Sequence, residues 1–220
     1  MHVQPWVRVL AAVLAVLAVQ VRAGEWYAGV EGGYSRLNFR THYDYANQTP
    51  GDEFTDRAQG FEGGVIGGYR QFYSPWFSGA LQGRVAFNRD EWRLDTDEPA
   101  HLKYDLPVTA GISVVPALHP VRELSVFAEI GVGEGYVREE KESFGAGVSA
   151  YNEARWVPGL IGGVGLHYEI TRQVGLYAVL REAWFERLSF DSFTPDGQPC
   201  ESIWSDARSE SLNLGLSCTF

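Results

Sequence analysis

The chain has 220 residues and a formal net charge of −10, with 25 Gly, 7 Trp, 11 Tyr, 12 Phe and a single Met. The acidic balance weighs against a nucleic-acid partner, whose phosphates demand a basic surface. A composition rich in glycine and aromatics favours strands over helices, and two cysteines are too few for a disulfide framework.

Arg8 precedes an unbroken apolar run from Val9 to Val19, too short to span a bilayer as a helix. Val21, Arg22 and Ala23 then place small or modest residues where a signal peptidase reads. Residues 1–23 are expected to be a cleaved secretory signal, with an uncleaved anchor as the alternative. The folded domain is expected to occupy 24–220.

Eight segments of period-two alternation follow, the pattern of strands whose successive side chains leave opposite faces. The first, Glu25 to Phe39, sets Trp26, Ala28, Val30, Gly32 and Tyr34 against Gly29, Glu31, Gly33 and Ser35. The second is Gln59 to Arg70, the third Trp76 to Asn88, and the fourth His101 to Val115. In the fourth, Leu102, Tyr104, Leu106, Val108, Ala110, Ile112 and Val114 share a face. Pro107 lacks a ladder donor and predicts a bulge or a rim position there. The fifth, sixth and seventh are Glu123 to Val137, Glu153 to Glu169 and Val174 to Phe190; the phase of the seventh turns Glu182 outward. The eighth, Ser209 to Phe220, sets Leu212, Leu214, Leu216, Cys218 and Phe220 against Ser211, Asn213, Gly215, Ser217 and Thr219.

Links after the second, fourth and sixth segments are short: 71–75, 116–122 and 170–173. Links after the others, 40–58, 89–100, 138–152 and 191–207, are long, polar and read as loops. Short turns on one side and long loops on the other are the arrangement of a transmembrane β-barrel. Each apolar face is bulky and continuous, with aromatics at its ends, the reverse of a soluble barrel closed around an apolar ligand. In lipid every backbone group must be paired, which strands achieve only in a closed barrel. The expected fold is all-β: an eight-stranded antiparallel up-and-down transmembrane barrel. It is monomeric, since closure leaves no strand edge.

Counted from the turn end, Glu31, Glu62, Arg84, Glu129 and Arg181 fall at similar heights on the inward faces. Eight strands enclose a space that side chains just fill, so these five are expected to meet as a salt-bridge plug; a gate or narrow polar path is the alternative. The glycine runs match no nucleotide-binding fingerprint and are read as room for bulky neighbours. His42 is expected in a loop, His101 at a rim, His119 in a turn, and His167 pointing inward. No nucleophile and base are placed together, so no enzyme activity is expected. Asp90, Glu91, Asp95, Asp97 and Glu98 lack calcium-loop spacing, and no metal or cofactor site is read. Cys200 in an outer loop and Cys218 near the inner rim would lie roughly 25 Å or more apart, beyond disulfide reach.

Glu25-Trp26-Tyr27-Ala28-Gly29 and the final strand resemble the small outer-membrane β-barrel family, of OmpA-transmembrane, OmpX and opacity-protein type. In that family the last strand carries polar, x, Gly, x, x, apolar, x, aromatic; Asn213, Gly215, Cys218 and Phe220 fill these places. The resemblance implies a C-terminal signal read by the outer-membrane assembly machinery. It also implies residence in the cell outer membrane among its lipid and lipopolysaccharide. Leu180-Arg181 departs from the family's frequent Tyr-Arg-Tyr. The implied role is structural, or surface interaction through the outer loops. A small pore or hydrophobic-solute channel is the alternative. A lipid A-modifying enzyme is less favoured, because the deacylase His-x-Ser is absent.

Overall fold

The structure, a computed structural model, describes residues 24–45, 53–89, 91–95, 100–143, 151–193 and 199–220. The expected export signal, 1–23, lies outside the described residues. The strands, in order, are β1 (Glu25–Tyr45), β2 (Glu53–Ser74), β3 (Phe77–Asn88), β4 (Glu91–Asp95), β5 (Ala100–Val121), β6 (Leu124–Ser143), β7 (Tyr151–Glu169), β8 (Val174–Phe185), β9 (Leu188–Phe193) and β10 (Pro199–Thr219). β4 continues β3, and β9 continues β8, so the cylinder has eight staves. All neighbours are antiparallel. The cylinder closes where β1 pairs with β10, from Tyr27 opposite Thr219 to Tyr45 opposite Glu201. The last residue takes part, since the Phe220 N–H donates to the Trp26 carbonyl at 2.9 Å.

Alternation decides which face meets lipid. Val30, Val65, Ile112, Ile130, Val164, Leu180 and Leu214 point outward and are exposed. Aromatic contacts bracket this belt. Trp26 and Tyr69 meet at 5.2 Å near the turn end; Tyr34 with Phe61 (6.4 Å) and Tyr136 with Trp156 (5.3 Å) meet at the far end. Trp26 to Tyr34 spans about 26 Å along the strand, the scale of an outer-membrane apolar band. The turns are tight for local reasons. Between β7 and β8 the Thr171 hydroxyl accepts from the Gln173 and Val174 N–H groups, at 3.2 and 3.0 Å. Glu182 does face outward, in ion-pair contact with Arg208.

Several expectations are corrected here. Much of the four long links is strand: β1 runs on to Tyr45, β2 begins at Glu53, β4 and the start of β5 fall within 89–100, β6 reaches Ser143 and β10 begins at Pro199. Outside a bilayer a strand needs ladder partners but no apolar face, so polar sequence extends the hairpins. His42 and His101 therefore sit in strands rather than in a loop and at a rim, and Cys200 is in β10 rather than in a loop. The link 116–122 shrinks to a turn at 122–123, because β5 runs to Val121 through a bulge between Leu118 and Val121. His119 lies in that strand, not in a turn.

Pro107 sits in a second bulge. Asp105 opposes Arg138 and Val108 opposes Tyr136, so β5 carries one extra residue there. The extra residue turns Leu106 inward, 2% exposed, where simple alternation places it outward.

The bulge completes an interior layer that alternation alone does not reveal. Leu37, Phe39, Ala58, Leu106, Val137, Val157 and Ala207 form one buried apolar cluster inside the far half of the barrel, with Phe185 packed against it. Around it the wall divides. Among the described residues the last bonds across the two lines of division are Arg89 N–H to the Phe61 carbonyl (3.0 Å) and Glu186 N–H to the Pro158 carbonyl (2.8 Å). Beyond them, among the described residues, β4 pairs with β5 alone and β9 with β10 alone. Beyond these points β9–β10–β1–β2 and β4–β5–β6–β7 are not hydrogen-bonded to one another among the described residues, although β2 and β4 stay close, and the apolar cluster lies between them.

Candidate functional site: a charged layer across the lumen

One layer below that core the lumen is crossed by charge. The Arg84 Nε donates to Glu31 Oε1 at 2.6 Å, its Nη2 to Glu62, and its Nη1 to the Thr109 hydroxyl at 3.3 Å. The Arg181 Nε donates to Glu129 Oε2 at 2.9 Å and its Nη1 to Glu31 Oε1 at 3.0 Å. These five side chains are 0–6% exposed. Two guanidinium groups face three carboxylates, and neutral donors stabilise the surplus negative charge. The Tyr177 hydroxyl donates to Glu31 (3.1 Å), the Ser113 hydroxyl to Glu129 (2.9 Å) and the Asn213 amide to Glu62 (2.6 Å).

Glycine makes the layer possible. Glu31 stands opposite Gly64 and Gly215, Glu62 opposite Gly33, Arg84 opposite Gly111, and Glu129 and Arg181 both opposite Gly163. Each long polar side chain crosses the lumen over a neighbour that has none. At Gly215 the space is already occupied: a Cβ there would lie 2.2 Å from Tyr177 Cζ. Tyr177 therefore lies flat over Gly215 and reaches Glu31.

The structure thus brings Glu31, Glu62, Arg84, Glu129 and Arg181 together. Sequence reading missed Tyr177 and Ser113, and it assigned Asn213 only to the terminal signal. Tyr177 alternates with Arg181 on one face of β8, the one local hint available. Of the four residues expected to form the terminal signal, Asn213 is fully buried and Gly215 underlies Tyr177, while Cys218 and Phe220 are exposed on the outer face. Cys200 and Cys218 belong to one strand, roughly 60 Å apart at about 3.3 Å per residue.

Below the layer, toward the turn end, a cavity of about 70 Å³ is lined by Ile66, Val115, Phe127, Tyr177 and more polar groups. His167 does point into it. Two serine–histidine contacts lie there that no sequence pattern signalled: Ser78 Oγ to His119 Nε2 at 2.8 Å and Ser217 Oγ to His167 Nε2 at 3.0 Å. In a Ser-His-Asp arrangement a carboxylate orients the ring and stabilises the imidazolium. Neither ring has a carboxylate hydrogen-bond partner among the described residues, and Arg70 is a charged neighbour of both. Arg70 instead binds Glu25 at 3.2 Å and Glu169 at 3.6 Å across the rim. At that rim burial raises the Glu169 carboxyl pKa, and Arg70 opposes the shift. Among the described residues no three of His, Cys, Asp and Glu converge on a metal-sized space. Asp90, Asp97 and Glu98 lie outside the described residues.

A closed eight-stave antiparallel cylinder with an apolar outer belt and a polar layer inside agrees with what the chain is similar to. The family model for the outer membrane protein beta-barrel domain matches residues 9–220. The chain belongs to this family. Among solved structures, the outer membrane protease OmpT of Escherichia coli is 8% identical with a TM-score of 0.53, covering 91% of this chain and 99% of its own. The outer membrane protein OprG of Pseudomonas aeruginosa is 12% identical with a TM-score of 0.53, covering 90% and 97%. A major outer membrane protein of Thermus thermophilus is 12% identical, also at 0.53, covering 90% and 100%. At such identities the likeness shows the fold alone. No curated protein shares detectable sequence similarity with the chain. This outer membrane β-barrel crosses its membrane with strands; among the described residues no helix is long and apolar enough to do so.

Proposed function

We propose that this outer membrane β-barrel protein is a non-enzymatic anchor whose long hairpins, beyond the far aromatic girdle, serve a structural or surface-interaction role. One observation carries the reading: the lumen is filled at two successive levels, by the charged layer and by the apolar cluster above it. Transport through such a barrel is blocked twice, which leaves the hairpins as the interacting part. Residues 1–23 direct export, and Asn213, Gly215, Cys218 and Phe220 are read by the assembly machinery. The hairpin end then faces the exterior, and the barrel is a monomer. Purified protein in planar bilayers tests the closure. The expected result is no stable conductance; discrete steps in the wild type would refute it.

A second reading, a route for apolar solutes, has its own support. The apolar cluster adjoins both lines where the wall divides, at Phe61–Arg89 and Pro158–Glu186. Uptake of an apolar solute by cells with and without the protein separates the two readings.

A further inference from the structure

On the outer wall, at the far edge of the apolar belt, a groove of about 550 Å³ crosses β7, β8, β10 and β1. It exists because Gly162 faces outward with no side chain, between Leu160 and Val164 on the same face of β7. Trp184 leans over the vacant position; a Cβ on Gly162 would lie 3.1 Å from its ring. Tyr34 lines the groove on the β1 side. Leu180 and Leu212, directly paired, form an apolar floor.

One row farther out the floor becomes charged. Glu182 opposes Glu210 across β8 and β10, and Glu210 opposes Arg36 across β10 and β1. Like charges directly opposite one another are destabilising. Arg208 resolves that conflict by touching Glu182 and lying 3.4 Å from Glu210. With both carboxylates engaged by Arg208, Arg36 has no ion pair or hydrogen bond among the described residues. It is half-buried on the groove lining. A guanidinium with no partner among the described residues, at the end of an apolar trough whose two carboxylates lie against Arg208, matches an acyl chain joined to an anionic headgroup. Its planar fork suits a phosphate.

We propose that this groove binds the phosphorylated, acylated glucosamine lipid of the outer leaflet, with a lipid A phosphate on Arg36 and an acyl chain along Leu180 and Leu212. The choice of the outer leaflet rests on the orientation proposed above.

Native mass spectrometry of the full detergent-folded chain tests the site without depending on that orientation. The probes are diphosphorylated lipid A and phosphatidylglycerol. Lipid A is expected to bind the wild type more tightly than phosphatidylglycerol. Arg36→Gln should weaken lipid A binding about tenfold, the worth of one charge-assisted contact. Gly162→Leu, which fills the trough, should abolish binding, and Arg187→Gln, in an exposed pair elsewhere, should leave it unchanged. Equal lipid A binding by the wild type and Arg36→Gln overturns the proposal. So does phosphatidylglycerol binding that equals lipid A with the same Arg36 dependence. Gel mobility before and after boiling reports folding of each variant, and Arg36→Gln decides alone if Gly162→Leu does not fold. Surface labelling of the hairpins measures orientation separately, so its failure is distinguishable from failure of the site.

Discussion

Replacing Arg181 by Ala removes the group that joins two of the three buried carboxylates. Glu31 keeps Arg84 and the Tyr177 hydroxyl, so the loss concentrates on Glu129. Glu129, 1% exposed, retains only the Ser113 hydroxyl among the described residues. Breaking a buried pair by removing one partner costs about 3–5 kcal/mol, because the remaining charge has neither water nor counter-ion. Arg208→Ala is the control. Its side chain is 50% exposed and its partner Glu182 is 25% exposed, so the solvent-screened loss is about 0–1 kcal/mol. The double variant Arg181→Ala/Glu129→Ala removes the stranded charge together with its partner. It should recover part of the loss, roughly 1–3 kcal/mol, as coupled neighbours do. Equilibrium urea unfolding in phospholipid vesicles, followed by tryptophan fluorescence, gives all three values. A loss in Arg181→Ala no greater than in Arg208→Ala, or simple additivity of the two substitutions at 181 and 129, would refute the charge-stranding account.

The apolar core above the layer gives an independent measure. Phe39→Ala should cost about 3–5 kcal/mol in the same assay, as large truncations in packed cores do; a loss no greater than that of the exposed Phe87→Ala would mean the cluster contributes nothing. Gly215→Val should destabilise by about 1–3 kcal/mol through the clash with Tyr177, and Tyr177→Ala in the same chain should relieve part of it. No relief would show that the Tyr177 ring is not the obstacle. A membrane-impermeant maleimide on intact cells should label Cys200 and spare Cys218, with gel mobility unaffected by reductant. A reductant-sensitive shift would contradict their placement at opposite ends of β10.

Much of the wall was legible because a lipid-facing strand repeats one rule at every second residue. Leu212, Leu214 and Leu216 announce their face without reference to any other strand. Legibility ended where that rule is not imposed. The hairpins past Phe39 and before Gln59 lie outside the apolar band, so they alternate without an apolar face and read as loops. At Leu106 the rule misled, because the bulge at Pro107 shifts the phase by one residue. Of the charged layer, the five ionic members were visible as inward residues at similar heights. Tyr177, Ser113 and the second role of Asn213 were not, since each lies among ordinary polar positions and acquires a partner only across the lumen.

The division has a physical basis. Sequence by itself determined the strand count, the outward face and the turn side, because each follows from local alternation and short-range turn chemistry; the family resemblance rested on the residues of the first and last strands. Only the tertiary structure decided what fills the barrel. Glu31 meets Arg181, and Asn213 meets Glu62, because closure of β1 on β10 brings together residues 150 and 151 positions apart. The apolar core is likewise assembled from one or two residues per strand, too few to leave a period in any single strand. The groove beside Arg36 needs an outward glycine on β7 and an arginine on β1 placed on either side of β8 and β10. Lipid acts on every strand separately and so writes its mark in the sequence; the lumen is defined by all the strands at once.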